Sequence, residues 1–522
     1  MIQRVIVKMN LAILVALFTL PSLAETKIDP ALKAFATGPQ NRKTQVILLL
    51  EIPTGGASSP RRYDRVRLAQ NLRGRSDRAM RLLESHLRAN RSSSRDVQIR
   101  KVFPLSLTAS ANVSPAGLRL LGTAPSVLKI YANHEITHEI PRDVRRVSRF
   151  AESSEVPYHF ETSGLMALIK EMPQFTGKGV VVGHIDTGVD GKHPALMGKI
   201  TAYFDGRTGR RTDQPTDMDE HGTHTAGTIL GGTRSTENMI GVAPEATMVS
   251  AGALGSWEEM LKGMEFMLDP DSNPNTADQP RLVSNSWNSR GAPDQEPFYR
   301  MISTWEAAGI LPVFSAGNSG PNPQTITPPH EHPEAFAVAA TGEGLKIADF
   351  SSRGPGIFRG QETQKPDIAA PGVQVYSAVP GGRYAKMSGT SMATPHVAGA
   401  AALVLQANPD LNPAQIRAVL LQSSIMVTET GASTTVRAWN PLFGFGNLDI
   451  QAAVKAALLM KDGVNPFAIG GSRFLNNGLF TNPRTLPLEA TLRTLPTRTI
   501  DDSWKLVRQD DAKNGWLTLK DL

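Results

Sequence analysis

The chain has 522 residues, 40% of them hydrophobic, and a formal net charge of +7. That length accommodates about three domains and a sizeable core. It contains no cysteine, which excludes disulfides, thiolate catalysis and cysteine-based zinc sites and leaves packing to hold the fold. At the N-terminus, Arg4 and Lys8 precede a short apolar run from Leu11 to Leu20, and Ser22-Leu23-Ala24 puts small residues where a signal peptidase reads. Residues 1–24 therefore read as a signal peptide. The apolar run is too short for a comfortable span and no later run approaches that length, so no stable membrane anchor is expected. The product is expected to be secreted, or periplasmic where the source has an outer membrane.

Residues 25–150 carry 23 Lys and Arg against 10 Asp and Glu, a net of +13, whereas residues 151–522 carry a net of −8. Within the basic segment, Gln45–Leu50 reads as a strand and Tyr63–Ala89 as a helix. Strands follow at Val97–Phe103 and Leu107–Val113, then a short helix opened by Ser114 as cap and Pro115 as first residue, then a strand at Val127–Tyr131. The order βαββαβ predicts a small α+β ferredoxin-like unit. Arginines from Arg61 to Arg95 interleave with Leu68, Leu72, Leu82, Leu83 and Leu87 and not with aromatic residues. That pattern describes an amphipathic helix with a solvated or docking face, and no nucleic-acid partner is expected. A tail beyond Tyr131 carries Ile140-Pro141-Arg142, Arg145-Arg146 and Arg149.

From 151 to 460 the pattern changes to short apolar strands alternating with helices, which predicts a doubly wound α/β unit with a mostly parallel sheet. Buried-strand candidates are Gly179–Ile185, Thr247–Ala253, Arg281–Asn285, Leu311–Ser315 and Ala335–Ala340. Helices are expected at Trp257–Leu268 and Tyr299–Ala308, a surface loop at Asp269–Pro280, and a turn segment at Lys365–Gly372. A last helix begins near Pro413 with Asn412 as its cap. Residues 461–522 carry no usable motif and form a C-terminal extension of unknown role.

Four segments of this unit carry chemistry. Val180 to Val189 is a β-branched run that stops at Asp186, as a central parallel strand would with a carboxylate at its C-terminal end, where open α/β sheets place ligands. His221-Gly222-Thr223-His224 opens a run of small residues with helical spacing. Val313 to Gly320 ends a strand in Ala316-Gly317-Asn318. In Gly389-Thr390-Ser391-Met392-Ala393-Thr394-Pro395-His396, a serine precedes an apolar run that reads as a buried helix, with Pro395 in its first turn. A serine hydroxyl is a poor nucleophile until a base takes its proton, and a helix N-terminus favours developing negative charge. Each segment alone has an ordinary reading as turn, cap or core histidine; together, in the order Asp, His, Ser, they specify acyl transfer.

These segments resemble those of subtilisin-type serine proteases, the subtilases of peptidase family S8, over roughly Ser163 to Val454. The insertion before Asn285-Ser286-Trp287 and the run Phe350 to Pro355 are most similar to bacillopeptidase F-like members. The resemblance implies a serine endopeptidase with Asp186, His221 and Ser391 as catalytic residues and Asn318 as oxyanion donor. His224 and His396 then become packing residues. It places substrate-binding positions at Ser286, Trp287, Asn288, Ala316 and Gly317. Where the family has glycine this chain has Asn288, which would narrow the primary pocket or add a polar contact. Trp257 falls where neighbouring subsites are lined or, equally, where a helix faces its own core. No cofactor is required for the chemistry and no metal ligand is assigned. Structural calcium is compatible with the family, but Asp213, Asp217 and Asp219 do not form a strict calcium loop.

The resemblance further implies that residues 25–150 are a propeptide that folds the catalytic unit and inhibits it, a pairing that charges of +13 and −8 would steer. Self-cleavage is expected between about 136 and 157. The expected product is a secreted, self-processed monomeric endopeptidase whose partners are protein or peptide substrates and its own propeptide. A non-catalytic binding protein would not need these four residues together. An α/β-hydrolase esterase would need Gly-x-Ser-x-Gly and the order Ser, Asp, His, and the chain has neither.

Overall fold

The computed structural model describes residues 26–51, 64–91, 95–137, 141–147, 157–234, 239–273, 275–276, 278–289, 294–428, 433, 438–464 and 466–467. The signal-peptide segment, Arg149 and nearly all of the C-terminal extension lie outside them. Two compact units divide the chain, one ending at His134 and the other running on from Glu135 and including residues 58–71.

In the first unit, strands β1 (Thr44–Leu50), β2 (Val97–Phe103), β3 (Thr108–Val113) and β4 (Val127–Ala132) alternate with helices α1 (Arg65–Ala89, of this unit from Leu72 on) and α2 (Pro115–Thr123) in the expected βαββαβ order. The sheet order β2-β3-β1-β4 is antiparallel throughout and is that of a ferredoxin-like fold. Ser114 caps α2, its hydroxyl accepting the Gly117 N–H at 3.1 Å. Along α1, Ala79 and Leu83 pack in one core with Val46, Leu48 and Ile130 of the sheet.

In the second unit, eight strands form one sheet: β5 (Val181–Asp186), β6 (Ile200–Asp205), β7 (Arg210–Thr212), β8 (Thr247–Gly252), β9 (Leu282–Asn285), β10 (Leu311–Ser315), β11 (Phe336–Thr341) and β12 (Ile368–Pro371). Their order is β12-β11-β10-β9-β5-β8-β6-β7, parallel except for the edge strand β7. From β5 the chain crosses to β6 and returns to β8 on one side of β5, then passes to the other side and winds outward from β9 to β12. Asp186 therefore ends the strand at which the winding reverses, where an open α/β sheet leaves a crevice.

Helices α3 (His221–Leu230), α4 (Trp257–Phe266), α5 (Glu296–Ala307), α6 (Thr390–Ala407), α7 (Pro413–Ser423) and α8 (Ile450–Lys461) cover the sheet. Asn412 caps α7 in a full capping box with Gln415. Nearly every residue of α6 is buried, as its all-round apolar sequence demands. Its alanines let it pack beside α3, α8 and the sheet in one continuous core.

Two local expectations need correction. Ile368–Pro371, within the segment Lys365–Gly372 expected as a turn by its likeness to the family, is the fully buried edge strand β12; proline is tolerated at a sheet edge. Pro395 lies in the second turn of α6, not the first. A proline there cannot donate to the carbonyl four residues back, which belongs to Ser391, and the Ser286 hydroxyl takes that carbonyl instead at 3.1 Å.

Packing at the centre of α6 is tight enough to test. A Cβ added at Gly399 would stand 2.5 Å from the Cβ of Val242. Gly399→Ala should lower unfolding free energy by about 1–3 kcal/mol in chemical denaturation, the usual penalty for an overfilled core; an unchanged midpoint would show that α6 can shift.

Candidate active site

Strand β5 and helix α3 each bring one half of an acid–base pair. Asp186 is the last residue of β5, and α3 begins at His221, whose backbone N–H is held by the Asp219 carboxylate at 3.1 Å. The His221 Nδ1–H donates to Asp186 Oδ1 at 2.6 Å, and both side chains are fully buried. Asp186 Oδ1 also accepts the Thr187 N–H at 2.7 Å, and the Thr225 hydroxyl donates to Oδ2 at 3.1 Å. Burial alone would lower the His221 pKa; the charge and hydrogen bond of Asp186, with Asp217 and Asp219 behind it, outweigh burial and hold it above the ordinary value.

The loop between these halves is pinned by residues that sequence reasoning did not assign. The Asp217 carboxylate accepts the Thr187 hydroxyl at 2.7 Å through one oxygen and the Thr223 hydroxyl and N–H at 2.6 and 2.7 Å through the other. Thr187 Oγ1 in turn accepts the Gly222 N–H at 2.9 Å. Gly188 sits at φ +130°, and a side chain there would meet the Thr216 carbonyl. Asp217, expected as part of a polar loop, is thus a half-buried clamp whose oxygens are used by the protein. Among the described residues no His, Cys, Asp and Glu cluster fit for a metal ion occurs.

Helix α6 supplies the third group. Ser391 is its second residue, 3% exposed, with its hydroxyl donating to the Ser286 carbonyl at 3.5 Å. Beside it, Asn318 Oδ1 accepts both the N–H and the hydroxyl of Thr390 at 2.8 Å. Thr390 Oγ1 accepts the Gly317 N–H at 3.2 Å. With its oxygen committed, the Asn318 amide must present Nδ2 as a donor near Gly389. Gly317 lies at φ +101°, and a Cβ there would fall 2.8 Å from Ser352 Oγ, so only glycine fits between Ala316 and Asn318. Thr390 was legible in the serine motif, but nothing in a sequence says that its hydroxyl orients the asparagine.

The expected substrate-binding positions separate by role. Ser286 touches Ser391 through both its carbonyl and its hydroxyl. Asn288 opens a two-residue strand, Asn288–Ser289, that pairs antiparallel with Ile136–Thr137. Ala316 is fully buried and donates its N–H to the Val338 carbonyl at 2.9 Å. The Trp287 side chain does not line a cleft: it is buried against Phe298 and Phe314 and donates to Asn285 Oδ1 at 3.1 Å. Trp257 is core as well, fully buried against Phe298 with its indole N–H on Ser289 Oγ at 2.9 Å. Large aromatic area is worth most out of water, and both rings lie beneath the segment that carries Asn288.

His224 and His396 take the packing roles expected of them. His224 Nε2 reaches the carbonyls of Val375 and Ala385 at 3.0 and 3.2 Å, joining α3 to the hairpin of β13 (Val375–Val379) and β14 (Arg383–Ser388). Burial lowers its pKa to about 3. His396 lies between the Met392 carbonyl at 2.8 Å and His159 at 3.1 Å, and burial lowers its pKa to about 4.

The tail from Glu135 belongs to the same unit and lies across this site. Glu135 bridges to Ser256, and Ile136 donates its N–H to the Gly255 carbonyl at 3.0 Å while its strand pairs with Asn288–Ser289. Farther on, Arg142–Val147 pairs antiparallel with β14, with Arg142 opposite Ser388, three residues before Ser391. The Arg142 guanidinium donates to the Asn318 carbonyl at 3.3 Å and Arg146 pairs with Glu220 at 2.7 Å.

Comparison with known proteins agrees with this geometry. Residues 177–446 match the model of the subtilase family, a peptidase family. The chain is 37% identical to Bacillopeptidase F of Bacillus subtilis (strain 168) over 309 residues, 54% of this chain but 21% of that much longer protein. It is 33% identical to Serine protease AprX of the same organism, over 60% of this chain and 72% of the relative, and 31% identical to its Subtilisin E, over 69% and 83%. On the matched family model, which takes in the strand-end carboxylate, the helix-borne histidine and the buried serine, the chain belongs to the subtilase family of serine peptidases.

Proposed function

We propose that the protein is a secreted serine endopeptidase, made as a precursor that cuts itself, with Asp186, His221 and Ser391 as its triad. The observation that carries this is the 2.6 Å contact from Asp186 to His221, with a serine at the N-terminus of a buried helix that packs on the helix carrying His221. In the reaction the Ser391 hydroxyl turns from the Ser286 carbonyl to His221 Nε2, which takes its proton as Oγ attacks the peptide carbonyl carbon. Asp186 keeps Nδ1 protonated and stabilises the imidazolium. The Asn318 Nδ2 and the Ser391 N–H receive the oxyanion, aided by the α6 dipole. His221 then gives its proton to the leaving amine, and water admitted in its place reverses the sequence to free the acyl-enzyme. Neither step calls on a cofactor.

The substrate is an extended peptide of a protein chain, because the tail shows how a strand is held. Residues 135–137 lie between 255–256 and 288–289, and 142–147 add to β14. This arrangement, with the basic first unit, supports reading residues 25–150 as an inhibitory propeptide. The tail pairs at Thr137 with Asn288 and at Arg142 with Ser388, near the segment that carries Ser391, and self-cleavage is placed between these two points. Asn288 borders that strand and supports a narrowed or polar primary pocket. Export by a signal peptide accords with the sequence of residues 1–24; among the described residues no helix is long and apolar enough to cross a membrane.

Casein hydrolysis should vanish in Ser391→Ala, and Asn318→Ala should lose on the order of 10²–10³ in kcat, the range found when such a donor is removed from a subtilisin. An active Ser391→Ala protein would overturn the mechanism. Because His221 must be neutral to act and its pKa is raised above 6.5, kcat/KM should fall on the acid side with a midpoint above 6.5. A midpoint at or below that value would contradict the dominance of Asp186 over burial. Intact mass and N-terminal sequencing of the secreted product should place its new N-terminus between residues 138 and 142, and Ser391→Ala should keep the precursor whole. Processing that survives Ser391→Ala would assign the cut to another protease.

A further inference from the structure

Behind the carboxylate lies a polar chain that no step above uses. His184 and Asp186 are two apart on β5 and share one face of the strand. Ser250 is the register partner of His184 on β8. Thr225 is one turn beyond His221 on α3, so base and threonine share a helix face. His184 Nδ1 lies 3.0 Å from Ser250 Oγ, its Nε2 lies 2.9 Å from Thr225 Oγ1, and Thr225 Oγ1 lies 3.1 Å from Asp186 Oδ2. None of the four side chains is more than 1% exposed.

Proton counting gives these contacts a direction. Thr225 has one hydroxyl proton, and its other partners are acceptors: Asp186 Oδ2 and the Gly222 carbonyl, each at 3.1 Å. The charged acceptor is the stronger. The Thr225 oxygen must then accept from His184, which makes Nε2 the protonated nitrogen. A neutral imidazole has one N–H, so Nδ1 accepts from Ser250. Burial, opposed by Asp186, brings the His184 pKa down to about 4, in keeping with a neutral ring.

We propose that His184 and Thr225 are positioning residues for the catalytic carboxylate, forming a directed hydrogen-bond chain from Ser250 through His184 and Thr225 to Asp186 Oδ2. The chain fixes the plane of the carboxylate so that Oδ1 stays on His221 Nδ1. It also gives the buried charge a donor on its far oxygen without placing a second cation beside it. The inference rests on reading Asp186, His221 and Ser391 as the triad. The charged and titratable groups around the pair are His184 on β5, His224 on α3, and Asp217 and Asp219 in the loop before α3.

The test compares self-processed enzymes, with concentrations fixed by active-site titration with a phosphonate. Thr225→Val removes the hydroxyl and keeps the volume, and Thr225→Ser keeps the hydroxyl. His184→Gln offers an amide N–H where Nε2–H was, and His184→Leu does not. Thr225→Val should lower kcat about 10–100-fold with KM within about twofold, the scale of a small misplacement of a catalytic group. It should also raise the acid midpoint of kcat/KM, because a carboxylate that loses a donor keeps more charge for the imidazolium. Thr225→Ser should stay within about threefold of the parent. A parental kcat and midpoint in Thr225→Val, or a Thr225→Ser as slow as Thr225→Val, would overturn the relay. If Thr225→Val does not fold, the His184 pair decides by the same criteria: Gln active with Leu slow supports the relay, and equal rates overturn it. An active Ser391→Ala would remove the triad itself, whereas a dead Ser391→Ala beside a parental Thr225→Val removes the relay alone.

Discussion

The molecule's chemistry depends on one contact, the 2.6 Å hydrogen bond between Asp186 and His221 in a site closed to water. A buried carboxylate is expensive to desolvate unless donors surround it, and this one is met by an imidazole, a backbone N–H and a hydroxyl. The carboxylate ends β5, and its donors come from α3 and from the turn that follows β5. The strand and the helix must therefore be placed to within a few tenths of an ångström. The clamp of Asp217 on Thr187 and Thr223 accomplishes that placement, and Gly188 allows the turn to close.

The serine half of the site is built on the same logic from a different part of the sheet. Ser391 opens a helix that is buried along almost its whole length, so its position is set by the core and not by a loop. Pro395 leaves the Ser391 carbonyl unclaimed by the helix, and Ser286, just past the end of β9, secures it. Thr390 holds Asn318 by its oxygen and thereby aims the amide. Ser391, Asn318 and Ser286 are joined through Thr390 and the Ser391 carbonyl by hydrogen bonds that also fix the ends of β9, β10 and α6. Preorganisation of this kind lets the site stabilise developing charge without reorganising.

Much of this was legible in the residues. The β-branched run ending in Asp186, the glycine and small-residue spacing after His221 and the apolar run after Ser391 named the three groups, and the strands β9, β10 and β11 fell within one residue of their expected ends. What the sequence concealed were contacts between distant segments. Strand β6 and the edge strands β7 and β12 mix polar residues or prolines with short apolar runs, so periodicity did not mark them. Trp257 and Trp287 could be placed near substrate by motif position, yet packing turned both rings inward. Asp217, Thr225 and Thr390 act through hydrogen bonds whose partners lie many residues away, and His184 looked like any polar interruption of a buried strand.

The central claim is that Ser391 is the nucleophile activated by this network. It is tested most directly by reacting the purified enzyme with a serine-directed phosphonate and mapping the adduct by peptide mass spectrometry. The account predicts one adduct per molecule, on Ser391, with loss of activity in proportion to labelling. A stoichiometric adduct on any other residue, or full activity after Ser391 is labelled, would contradict it.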